Sequence, residues 1–211
     1  MYIGSTETKR DNIMINSKSL EMNPISLPMF TGEKSMIPFD LKTLAGLPLE
    51  FVLVVKQMLS GVKNDGGEAF FTIHGKQLKA NETLRRGAPH TDGNYEPVNM
   101  SFGSGGGGGW KIGENGPGIN TSLHSEQYLS HTGGIVLASN FESCLGWNGD
   151  FEGEQEVGGD CRHIKLNKPF MLKKDTVYYG NNHFIHESLP VSEDVHRVFA
   201  RITMPINHEF H

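Results

Sequence analysis

The stretch Asp175–Pro205, DTVYYGNNHFIHESLPVSEDVHRVFARITMP, decides how the rest of the chain is read. It is rich in Val, Ile, Tyr and Phe and is interrupted by Ser192-Glu193-Asp194. β-Branched and aromatic residues favour extended backbone, and the polar triplet favours a turn, so two strands joined as a hairpin are expected. The first strand carries His183 and His186, and the second carries Arg197 and Arg201. Arginines four apart on a strand share a face. An arginine turned inward is costly unless it meets an anion, so two of them beside a histidine suggest a dicarboxylate, one guanidinium to each end. The alternative is an edge strand with both arginines in solvent.

Upstream, FFTIHGKQL from Phe70, the region of GAPHTDGNY (87–95), GGIVLASNF (133–141) and CRHIKLN (161–167) also read as strands. In LKTLAGLPLEFVLVVKQMLSG, Leu47, Phe51, Val54, Val55 and Met58 recur at helical spacing. Pro48 fits only a first turn and Ser60-Gly61 offers a stop, so one helix is expected over about 45–60. Residues 1–37 read as an arm or a short leading strand. GSGGGGGW (103–110) is low in complexity, and 142–159, rich in Gly, Glu and Asn, reads as a long loop. One helix followed by six or more short strands predicts an α+β, mainly β chain built around an antiparallel barrel or sandwich.

The chain has 211 residues, which suits one domain, and its 26 glycines suit a turn-rich β protein. A net charge of -5 provides no footprint for nonspecific nucleic-acid binding. Cys144 and Cys161 form no CxxC, so neither a zinc knuckle nor a disulfide framework is implied, and a cytoplasmic setting is the default. No apolar run is long enough to span a membrane, and MYIGSTETKRDN lacks a signal-peptide core.

His90-Thr91-Asp92 places an imidazole and a carboxylate two residues apart. On extended backbone such residues face the same way, roughly 6.6 Å apart along the chain, and can converge on one ion. They are two thirds of the 2-His-1-carboxylate facial triad that holds Fe(II) with open positions. The third ligand can be His183 or His186, which point to opposite faces of a regular strand; His186, next to the turn and the arginines, is preferred. A solitary His-x-Asp is a common dipeptide spacing, so its weight comes from this company.

PHTDGNY followed after a long interval by DTVYYGNNHFIHESLPVSEDVHRVFARIT resembles the Fe(II)- and 2-oxoglutarate-dependent oxygenases, whose pattern is HxD, a distal His, and an Arg after the next turn. The resemblance covers about Phe70–Pro205 and is anchored at its two ends. It implies a double-stranded β-helix (a jelly-roll or cupin-like barrel) with a supporting N-terminal helix, as a single domain over 1–211 with its core at about 70–205. It implies His90, Asp92 and His186 as Fe(II) ligands and Arg197 as the anchor for the distal carboxylate of 2-oxoglutarate. Arg201 resembles the second arginine of taurine dioxygenase, and Arg201-Ile202-Thr203 is also the better fit to the family's Arg-x-Ser. The implied reaction uses 2-oxoglutarate and O2, releases succinate and CO2, and hydroxylates a C–H bond of a small-molecule substrate, an amino acid or another carboxylate. Arg86, which shares strand parity with His90, Tyr95 past the Gly93-Asn94 turn, and Trp147 are candidates for substrate contact. The loops holding Trp110 and Trp147 are candidate lids. Two rivals share the fold: a cupin-type metal barrel that does not use 2-oxoglutarate, and a degenerate binding barrel without iron. A hydrolytic zinc site has no HExxH to support it.

Overall fold

The computed structural model describes residues 14–92, 110–113, 116–119, 133–153, 155–156, 159–205 and 208–211. In chain order the elements are β1 (Met14–Ser17), β2 (Ser19–Pro24), β3 (Gly32–Asp40), α1 (Leu49–Met58), β4 (Glu68–Leu78), β5 (Trp110–Gly113) and β6 (Gly116–Ile119). There follow β7 (Ile135–Ser139), β8 (Cys144–Trp147), β9 (Gly149–Glu152), β10 (Phe170–Met171), β11 (Thr176–Gly180), β12 (Ile185–Ser188) and β13 (Val195–Thr203).

The principal sheet runs β2-β11-β7-β13-β4-β3, antiparallel throughout. Its two faces follow from strand alternation. Val198, Ala200 and Ile202 of β13, with Phe71 and Ile73 of β4, pack under α1. Phe199, with Leu137 of β7 and Leu78 of β4, turns the other way and packs on Cys144, Leu172 and Phe184. That second face is covered by the smaller sheet β10-β8-β12. The molecule is therefore a layered, mainly β structure, helix on sheet on sheet, and the sheets do not close into a barrel among the described residues.

The helix follows its expected outline. Pro48 stands at the N-cap, Phe51, Val54, Val55 and Met58 are its buried stripe, and Gly61 follows at φ +86°. Four expectations are corrected. The N-terminal arm contains β1, β2 and most of β3, and β2 and β3 are the two edges of the principal sheet. The 142–159 loop contains β8 and β9. Residues 161–167 form no strand; Cys161, Ile164 and Leu166 pack through side chains instead. The run 175–191 is two strands, and β12 pairs with β8 while β13 pairs with β4 and β7, so no hairpin ladder joins them. Asn181, Asn182 and His183 break the run: Phe184 N–H bonds back to Asn181 O, which turns the chain out of the principal sheet. No helix among the described residues is long and apolar enough to cross a membrane.

Candidate metal centre

The smaller sheet continues beyond β12 through the main chain of the HTD segment. His90 and His186 donate to each other's carbonyls, both at 3.0 Å. On its far side the same segment is held by Cys161 N–H to Pro89 O and Thr91 N–H to Gly159 O, each 2.9 Å. Gly159 is required here. Its φ is +76°, and a Cβ would stand 2.2 Å from Thr91 O. Ala88, two residues before His90, also has positive φ, 73°, a costly conformation for a residue with a side chain. The HTD segment is thus a single bridge between two neighbours rather than a regular strand.

His90, Asp92 and His186 are all buried, and one potential ligand atom from each lies within 4.8 Å of the others. Both imidazoles are oriented by the same device. His90 Nδ1 donates to Ala88 O at 2.8 Å and His186 Nδ1 to Phe184 O at 3.1 Å. The proton on Nδ1 leaves Nε2 as a lone pair, and those lone pairs face Asp92, at 3.9 Å from Oδ1 for His90 and 3.4 Å from Oδ2 for His186. Three electron-pair donors turned on one place repel unless a cation lies among them. Asp92 Oδ1 is buried without a hydrogen-bond partner among the described residues, which fits the same conclusion. The cluster can hold a metal ion.

The electrostatics support ligation. Burial pushes His90 down to about 4, helped by His186 and opposed by Asp92, so the imidazole is neutral at pH 7. Burial alone would raise the Asp92 carboxyl; the Arg201 guanidinium outweighs it and holds the group well below the usual carboxylate range. Arg201 Nη1 donates to Asp92 Oδ2 in a fully buried ion pair.

The expected arginines both face inward, on the same side of β13 as Phe199. Arg197 has 0% exposure and donates only to neutral acceptors: Ser188 Oγ at 2.8 Å, Cys144 Sγ at 3.0 Å and Ser139 Oγ at 3.3 Å. No carboxylate pairs with it among the described residues. Burial lowers its affinity for the proton, and contact with Cys144 acts the other way. Arg201, expected at one end of a dicarboxylate, is instead the counter-ion of Asp92.

A cavity of about 370 Å³ opens beside the cluster. Its walls include His90, Asp92, His186, Cys144 and Ser188, together with Leu84, Arg85, Arg86, Phe199, Glu33 and His74. Arg86 lies on the wall as expected and pairs with Asp160 at 3.7 Å. Trp147 is buried among Ile15, Phe151 and Ile164 and is not among the lining residues. Tyr95 and the glycine run through residue 109 lie outside the described residues, and Trp110 opens β5. His183 is buried in the turn before β12 and is not a member of the cluster.

Arg85, Glu33 and His74 were not legible as site residues. Parity counted back from His90 selects Arg86 alone, but positive φ at Ala88 breaks the alternation and both arginines reach the cavity. The adjacent pair Arg85-Arg86 just before the HTD was the available signal. Comparison with family models, curated proteins and solved structures finds no match to this chain.

Proposed function

We propose that the chain is a non-haem Fe(II)- and 2-oxoglutarate-dependent oxygenase that hydroxylates a C–H bond of a small carboxylate-bearing molecule, leaving succinate and CO2 as co-products. The observation that carries this reading is the buried His90, Asp92, His186 group, with both Nε2 atoms turned on one carboxylate beside an arginine-walled cavity. Two imidazoles and one carboxylate are the donor set of the facial triad and suit Fe(II) with open positions. When bound, the iron supplies O2 activation coupled to oxidative decarboxylation of the 2-oxoacid.

The chain's own residues do the rest. His90 and His186 donate through Nε2, fixed by their Nδ1 carbonyl bonds. Arg201 keeps Asp92 ionised and aimed. Arg197 takes the distal carboxylate of the co-substrate. Among the described residues it is a buried charge with only neutral acceptors, and two of them, Cys144 and Ser188, are on the cavity wall. Leu84 and Phe199 limit water at the reacting carbon. In this reading the two packed sheets are the halves of a double-stranded β-helix, and α1 is its supporting helix. The free, buried thiols of Cys144 and Cys161 suit a reducing compartment.

A second reading, a cupin-type metal site that does not use 2-oxoglutarate, is favoured by Arg201 being engaged by Asp92. Anaerobic addition of Fe(II) and 2-oxoglutarate separates the two. The oxygenase reading expects a weak visible charge-transfer band in the wild type that is absent in His90→Ala and Arg197→Ala. Bound iron without a band selects the cupin-type reading, and no bound iron leaves only a binding barrel.

A further inference from the structure

One line of side chains crosses the principal sheet on the cavity face. Register pairs Glu33 on β3 with His74 on β4, His74 with Phe199 on β13, and Phe199 with Ser139 on β7. Glu33, His74 and Phe199 all line the cavity. Arg85 lies over this row, its guanidinium carbon 5.5 Å from the centre of the Phe199 ring. Its Nη1 reaches Glu33 Oε1 at 3.5 Å, and its side chain is only 17% exposed. That contact is long for a hydrogen bond and uses one nitrogen, so Glu33 does not occupy the guanidinium fork. Glu33 Oε1 also accepts from Ser35 Oγ at 2.6 Å, which fixes the carboxylate at the cavity wall.

From this arrangement we infer that the substrate is an α-amino acid, held by its carboxylate on Arg85 and by its ammonium on Glu33. This rests on the oxygenase reading for the reaction but on different residues for recognition. A simple carboxylate would meet Arg85 and be repelled by Glu33; a simple amine would meet the reverse. A zwitterion whose two charges flank one tetrahedral carbon satisfies both at once, and a loosely made pair is the kind that a ligand can open. Arg86 is less suited, since it is shared with Asp160, which Arg162 Nη2 also holds at 2.6 Å. Phe199, Leu84, His90, Asp92 and His186 line the same cavity as Arg85 and Glu33, so a zwitterion so held shares the space of the metal cluster. A cavity of about 370 Å³ is in the size range of small-ligand sites and suits a free amino acid.

The test is calorimetric titration of the full chain with the twenty proteinogenic L-amino acids. Each binder is then titrated again as its des-amino acid and as its decarboxylated amine. Expected is at least one amino acid that binds at least tenfold more tightly than either truncated probe. Arg85→Gln should weaken the amino acid and the des-amino acid tenfold or more and tighten the amine, which no longer meets a like charge. Glu33→Gln should weaken the amino acid and the amine and tighten the des-amino acid, which no longer meets a like charge. Glu33 is at a sheet edge and partly exposed, so its variant decides the matter if Arg85→Gln fails to fold. No amino-acid binding, or binding indifferent to Glu33→Gln, overturns the inference. A charge-transfer band with no amino-acid binding removes this inference and keeps the oxygenase. Amino-acid binding with bound iron and no band does the reverse.

Discussion

His90 and His186 exchange both backbone hydrogen bonds, 3.0 Å in each direction, and their ring centroids are 4.5 Å apart. Two residues 96 positions apart, 186 minus 90, are therefore opposite one another in an antiparallel bridge, and each ring is turned by its own Nδ1 onto the carbonyl two residues before it. The candidate ligands are set by main chain on the sheet, not by loop side chains.

Because the bridge is made by backbone, His90→Ala should leave the metal-free fold largely intact and remove the response to metal. A metal at about 100 times its Kd adds roughly 2.7 kcal/mol, which for a chain of this size is a Tm rise of roughly 5–10 °C. Differential scanning calorimetry of wild type and variant, with and without Fe(II) under anaerobic conditions, should show that rise in the wild type alone.

Gly159→Ala tests the other side of the bridge. The new Cβ meets Thr91 O at 2.2 Å on a backbone at φ +76°, so Thr91 and the adjacent ligands must move. The expected cost is about 1–3 kcal/mol of stability with a loss of metal affinity of tenfold or more, although residue 159 touches no ligand side chain. Unchanged metal titration in a folded variant would show that the 159–161 segment does not position the site.

Arg201→Met should make stability depend on metal. It leaves Asp92 buried without its cation, which costs about 3–5 kcal/mol when one partner of a buried pair is removed. A bound divalent ion replaces that cation, so the metal-induced Tm rise should be larger in the variant than in the wild type. Equal rises would mean that Asp92 is not among the ligands.

His208 gives a pH dependence away from the metal. It is buried, bonded to Tyr179 Oη through Nε2 at 2.7 Å, and burial lowers its pKa from the ordinary 6.5 while Asp65 opposes the shift. Below pH 6.5 the unfolded chain takes up a proton that the folded chain refuses, so stability falls with pH from 6.5 down to the folded value and is full above 7. The slope from one such group is at most about 1.4 kcal/mol per pH unit. His208→Gln should flatten the curve of Tm against pH between 5 and 6.5 relative to the wild type, leaving the contributions of His74 and His90, which burial also lowers.

The helix, β4, β7 and β13 were legible because their residues repeat at the period of the element: Phe51, Val54, Val55 and Met58 for α1, and Val198, Ala200 and Ile202 against Arg197, Phe199 and Arg201 for β13. The ligand group was legible because spacing on extended backbone bounds what can converge. What failed depends on long-range pairing. β8 and β9 sit in a Gly- and Glu-rich stretch and are strands because β12 and β1 pair with them, which composition does not encode. CRHIKLN alternates well but has no ladder partner. Glu33, 57 residues before His90, enters the cavity through the β3–β4 register alone, and nothing near it in sequence announces that role.

Arg197 gives the sharpest separation of stability from function. A buried guanidinium that has only hydroxyl and thiol acceptors among the described residues does not recover its desolvation cost there through an opposite charge. An apolar residue of similar length avoids that cost, so Arg197→Met should leave the metal-free protein unchanged or more stable by about 1–4 kcal/mol, provided Ser139 and Ser188 re-pair. The same variant should lose the stabilisation that 2-oxoglutarate gives the metal-loaded wild type, because the carboxylate then has no buried cation. A calorimetric comparison reads both effects. A variant that is destabilised by several kcal/mol and still responds to 2-oxoglutarate would make Arg197 a structural residue of the sheet interface and move the co-substrate anchor to the cavity wall, which Arg197 does not line.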